Sequence, residues 1–88
     1  MQDLFNRLVR ERDIHNLITC TIEEMSELTK VLCKYERNSE KYSIEAFAEE
    51  VSHVRLMCAV LCERFKVSVD TVELYQEDAL KRCFKEVV

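Results

Sequence analysis

A chain of 88 residues with neither glycine nor proline lacks the two residue types on which tight hairpins and sheet corners depend, and an all-α fold is expected. Its balance of 48% hydrophobic and 34% charged residues argues against disorder and against a membrane span. A net charge of -4 and a pI near 5.2 argue against a partner that is a nucleic-acid polymer, which calls for a basic face.

The opening MQDLFNRLVRERD has no long apolar run of the secretory kind, so a cytoplasmic location is expected. Residues 2–11 predict a short amphipathic helix with Leu4, Phe5, Leu8 and Val9 on one side. Asp13 has N-cap chemistry for a long helix over 14–36, along which Ile14, Leu17, Ile18, Ile22, Met25, Leu28, Leu32 and Tyr35 recur at three-and-four spacing. The polar run RNSEKY, residues 37–42, is the one clear loop, and so short a connection predicts an antiparallel helical hairpin.

Ser43 is the expected cap of the third helix, with Glu45 in the dipole-favoured first turn. Its core stripe is read as Ile44, Phe47, Val51, Val54, Cys58, Leu61 and Phe65, ending near Lys66. Ser68, helped by Asp70, caps a last helix whose apolar face is Val69, Val72, Tyr75, Ala79, Cys83 and Val87. No linker or low-complexity tract divides the chain. The expected architecture is an antiparallel bundle of about four helices, one domain over residues 1–88, completed by oligomerisation because so short a chain buries only a modest share of its surface. The five cysteines, Cys20, Cys33, Cys58, Cys62 and Cys83, are odd in number and show no CxxC spacing, so reduced, partly buried thiols are expected.

Two stretches, IEEMSEL and AEEVSHV, place acids on the packing sides of the second and third helices. Glu24 shares a face with Leu17 and Leu28, and Glu27 follows one turn later. Glu50 sits between Phe47 and Val54, with His53 one turn beyond, while Glu23 and Glu49 stand at the margins. Carboxylates gathered between helices repel one another by roughly 4 kcal/mol per close pair at the dielectric near a protein surface. A divalent cation offsets that repulsion, and ExxE and ExxH spacings give each helix two converging ligands. The bland reading, a solvated acidic face, applies to either motif alone; two on consecutive antiparallel helices weaken it.

The run Glu23-Glu24-x-x-Glu27, twenty-two residues (28–49), then Glu50-x-x-His53 resembles the MazG-like superfamily of all-α nucleoside triphosphate pyrophosphohydrolases, whose motif is EExxE followed by ExxD. The resemblance extends over nearly the whole chain, including helix order and the last helix after FKVSVD. It implies a Mg²⁺-dependent enzyme that splits an NTP or dNTP to the monophosphate and pyrophosphate and works as a homodimer or homotetramer; His53 in place of the family's aspartate makes Mn²⁺ the alternative ion. It implies Glu24, Glu27 and Glu50 at metal-ligand positions, with His53 at the fourth, and Lys34 and Lys81 as candidates to hold phosphates; a carboxylate near the ion can deprotonate the attacking water, which makes Glu23 or Glu27 the candidate base. His53 stands where the family has aspartate, and imidazole is a poor ligand for Mg²⁺. That departure supports an alternative, a non-catalytic binding or assembly module that keeps the bundle. A third reading is an acidic interaction protein unrelated to nucleotides.

Overall fold

The computed structural model describes residues 1–87, with side chains described through Phe84. Four α-helices follow in order: α1 (Gln2–Glu11), α2 (Ile14–Arg37), α3 (Ile44–Arg64) and α4 (Val69–Val87), with a 3₁₀ turn at Ser39–Lys41 between α2 and α3. There is no strand among the described residues, and no helix is long and apolar enough to cross a membrane.

The helices start where the sequence offers caps. The Asp13 carboxylate accepts from the His15 N–H at 3.0 Å, the Ser43 hydroxyl from Ala46 N–H at 3.1 Å, and the Ser68 hydroxyl from Thr71 N–H at 3.1 Å. Each satisfies an orphan donor of a first turn. At the hairpin turn Asn38 accepts from the Glu40 N–H at 3.1 Å. Tyr42 packs edge-on against Tyr35 at 5.0 Å and lies 6.3 Å from Phe47, joining the end of α2 to the start of α3. With no glycine available, α3 ends on Lys66 at φ 60°, and Val67 N–H reaches Cys62 O at 2.8 Å while Lys66 N–H reaches Glu63 O at 3.2 Å. This is the Schellman closure with a lysine in the left-handed position usually given to glycine.

α2 and α3 form the expected antiparallel hairpin, and α1 packs against α3. Val9, Leu17, Met57 and Val60 make the buried core, with Phe5, Leu8, Cys20 and Leu61 around it. On α3 the core stripe differs from the one read in the sequence by about a quarter turn. Ile44, Cys58 and Phe65 are exposed and Phe47, Val51, Val54 and Leu61 only half-buried, whereas Met57 and Val60 are buried. The reason is that α3 carries two apolar stripes, and α1 and α2 cover the one that includes Met57 and Val60. α2 behaves likewise: Leu17 is fully buried and Leu28 half-buried, but Ile18, Ile22, Met25, Leu32 and Tyr35 face solvent.

α4 does not join the bundle as expected. Among the described residues it has no extended packing against α1, α2 or α3. Val72 and Ala79 are half-buried, Val69, Leu74, Tyr75, Leu80, Cys83 and Phe84 are exposed, and the side chain of Val87 lies outside the described residues. All five thiols are unpaired; Cys20 and Cys62 are half-buried and Cys33, Cys58 and Cys83 exposed.

One contact had no signal in the apolar periodicity. The Arg64 guanidinium donates to Val9 O at 2.8 Å and Arg12 O at 2.7 Å, bringing a cation and two hydrogen bonds to the open carbonyls where α1 ends. Arg64→Ala is expected to lower stability by about 1–2 kcal/mol, read as a lower urea midpoint, while Glu63→Ala on the exposed side of the same turn leaves it unchanged.

Candidate metal site

The hairpin register sets Glu24 of α2 opposite Glu50 and His53 of α3. Leu17 packs below, near Met57 and Val60, so the acids sit one to two turns nearer the hairpin turn than the apolar core does. At three residues apart, Glu50 and His53 project from one face of α3 toward α2. One ligand atom from each of Glu24, Glu50 and His53 lies within 4.8 Å of the others.

The imidazole sits between the two acids. His53 Nδ1 is 3.0 Å from Glu24 Oε2 and 3.7 Å from Glu50 Oε2. The first is a hydrogen bond in the Nδ1–H tautomer, with Glu24 accepting; the second is too long for one. Glu50 Oε2 therefore has no hydrogen-bond partner, and it is shielded from solvent, on a side chain only 19% exposed. A buried carboxylate oxygen without a donor carries its desolvation cost uncompensated. Two carboxylate oxygens and a ring nitrogen facing one point fit a divalent cation, and the unsatisfied oxygen is the particular group that such an ion would satisfy. The donor set is mixed: carboxylates suit Mg²⁺ and Mn²⁺, whereas imidazole suits transition metals.

The other residues picked from sequence fall outside this group. Glu27 is exposed one turn along α2, and Lys30 donates to its Oε1 at 3.1 Å. Glu23 and Glu49 are exposed and do not join the three. Lys34 is exposed ten residues after Glu24, about 15 Å farther along the helix axis. Lys81 lies on the detached α4, its ammonium 3.5 Å from Glu77. Lys30 is thus a cation on α2 nearer the cluster than Lys34, and the i,i+3 spacing from Glu27 was its signal in the sequence. Beside the cluster, Glu24, His53, Leu56 and Met57 line a hollow of about 140 Å³. That suits an ion with a few waters and is smaller than the several hundred cubic ångströms of a typical organic-ligand pocket.

No family model matches the chain, and no curated protein or solved structure matches it.

The geometry makes Glu50 costly to the ion-free protein. Glu50→Gln, which removes the charge and adds a donor beside Glu24 and His53, is expected to raise stability in chelator by about 1 kcal/mol, measured by urea unfolding. An unchanged or lower midpoint would show that Oε2 is already satisfied.

Proposed function

We propose that this protein is a metal-dependent nucleotide pyrophosphohydrolase that cleaves an NTP or dNTP to the monophosphate and pyrophosphate. The observation that carries the reading is the convergence of Glu24, Glu50 and His53 from two antiparallel helices on one point, with a buried carboxylate oxygen left without a donor. The spacing Glu23-Glu24-x-x-Glu27 and Glu50-x-x-His53, with its resemblance to the MazG-like superfamily, supplies the reaction class.

In this reading Glu24, Glu50 and His53 would hold the ion, with Glu27, one turn from Glu24, as the further candidate ligand. A bound divalent cation supplies neutralisation of charge on the phosphate oxygens. The chain's own acids handle the proton. Water adds across the anhydride bond between the α and β phosphates, the bond to the bridging oxygen breaks, and a carboxylate of Glu23 or Glu27 takes the proton the water releases. Both acids are exposed beside the cluster, where water reaches them. Lys30, with Lys34 farther along, offers positive charge on the same helix for the outgoing pyrophosphate.

A second reading rests on a specific contact. The 3.0 Å bond from His53 gives Glu24 a protein partner in place of an ion, as expected of a bundle that has given up catalysis and serves in binding or assembly.

The deciding experiment is pyrophosphate release from a panel of ribo- and deoxynucleoside triphosphates with Mg²⁺ and Mn²⁺ in parallel. Turnover is expected with at least one ion, with Mn²⁺ favoured by the imidazole, and is expected to fall by 100-fold or more in Glu50→Gln. Folded protein without turnover under either ion would overturn the enzymatic reading. Saturating metal at a hundred times its dissociation constant is expected to add about 2.7 kcal/mol of stability, and none in a Glu24→Gln, Glu50→Gln double variant.

A further inference from the structure

The hollow beside the metal cluster has a larger neighbour. Leu56, one turn beyond His53 on α3, is a wall of the first and also a wall of a second hollow, of about 380 Å³, between α1 and α3. The fold explains why the two adjoin. Arg64 ties the end of α3 to the end of α1 through Val9 O and Arg12 O, so α1 runs beside α3 in the same direction and its Leu4 and Leu8 come level with Leu56. The apolar side of the opening turns of α1 thus flanks the approach to His53.

The second hollow differs from the cluster in chemistry. Met1, Leu4, Phe5, Leu8 and Leu56 line it with hydrocarbon and one ring, and the amide of the remaining lining residue, Gln2, donates to Asn6 Oδ1 at 3.1 Å. Phe5 and Leu8 are half-buried against the core and form its floor, while Leu4 and Leu56 stand 65% and 47% exposed at its rim. Its volume reaches the range of organic-ligand pockets, which the hollow at the cluster does not. A nucleobase laid in it would leave the donors and acceptors of its edge unpaired, a costly state in a site without matching groups. A hydrocarbon group has none to lose.

We propose that this groove holds the hydrocarbon group of a diphosphate monoester whose phosphate oxygens meet the ion at Glu24, Glu50 and His53. The two hollows share the Leu56 wall, so one molecule with an anionic head and an apolar tail spans both. The head fits only the cluster, where a cation can take phosphate oxygens, and the tail fits only the groove, where burial removes apolar surface from water. The groove depends on the metal site of the preceding reading but not on turnover of NTPs, so the test reads binding rather than hydrolysis.

The probes are linear alkyl esters of methylenediphosphonate, which cannot be hydrolysed at the bridge, from methyl to octyl, titrated calorimetrically into the Mn²⁺-loaded protein below their micellar concentrations. Full burial of a methylene is worth about fourfold in affinity, so an open groove that covers half of each is expected to give about twofold per methylene and roughly 100-fold from methyl to octyl. Chelation of the ion is expected to abolish binding of the methyl compound and to weaken the octyl compound at least tenfold. Leu4→Gln with Leu56→Gln, two changes at exposed rim positions, is expected to flatten the series to less than about 1.3-fold per methylene, a ratio that general damage to the metal site does not alter. A flat series in the wild-type protein, an undiminished slope in the double variant, or octyl binding indifferent to chelator overturns the proposal. Binding of the methyl compound that requires Mn²⁺, with a flat series, would remove the groove and leave the metal site; no Mn²⁺-dependent binding of any member would remove both.

Discussion

Everything distinctive in this fold depends on a polar layer inserted into a helix–helix contact. α2 and α3 pack antiparallel through Leu17, Met57 and Val60, and little more than a turn farther toward the loop the same seam holds Glu24, Glu50 and His53. An apolar layer there would have extended the core. The chain instead places two carboxylates within reach of one imidazole and leaves one oxygen with no donor, an arrangement that weakens the hairpin where it can least replace the loss. Among the described residues only four hydrophobic side chains are buried, so the polar layer takes up a large share of the contact that α2 and α3 make.

Two different things are missing from the isolated chain, and they lie in different places. The polar layer leaves a carboxylate oxygen without a donor, a cost that a bound cation would offset. The face on the far side of the hairpin from α1 leaves Ile18, Ile22, Met25 and Leu32 open to solvent, a cost that an ion would not touch. The two needs meet through α3, because Glu50 and His53 lie on the stripe facing α2, while Val51 and Val54 beside them lie on the stripe facing outward.

The sequence disclosed the elements well and the packing poorly, for a physical reason. Helix starts were legible because Asp13, Ser43 and Ser68 do chemistry local to their own first turns. The hairpin followed from the shortness of residues 37–42. The core face of α3 was misjudged because periodicity shows that a helix has an apolar stripe but not which neighbour covers it. Ile44, Phe47, Val51, Val54, Cys58, Leu61 and Phe65 form the more regular of two stripes, and the chain buries the other. The Arg64 bridge to α1 was invisible for the same reason, since a long-range hydrogen bond to a carbonyl leaves no mark on spacing. At the site, the placement of Glu24, Glu50 and His53 on packed faces was legible at i,i+3 distance. Glu27 instead stands exposed in an ion pair with Lys30, a pairing that their i,i+3 spacing did signal.

The difference between a metal site and a satisfied salt link comes down to one atom, Nδ1 of His53. As an N–H it donates to Glu24 and completes a protein-only contact; as a lone pair it faces the same point as two carboxylate oxygens. A proton and a metal ion cannot both occupy it, so binding through this nitrogen costs the Glu24 hydrogen bond and must return more than that. Aspartate in the same place would set no such competition, having a second oxygen to offer. Glu50 tips the balance: the His53 bond satisfies Glu24 but leaves Glu50 Oε2 buried and alone, and of the two occupants only the ion serves both acids.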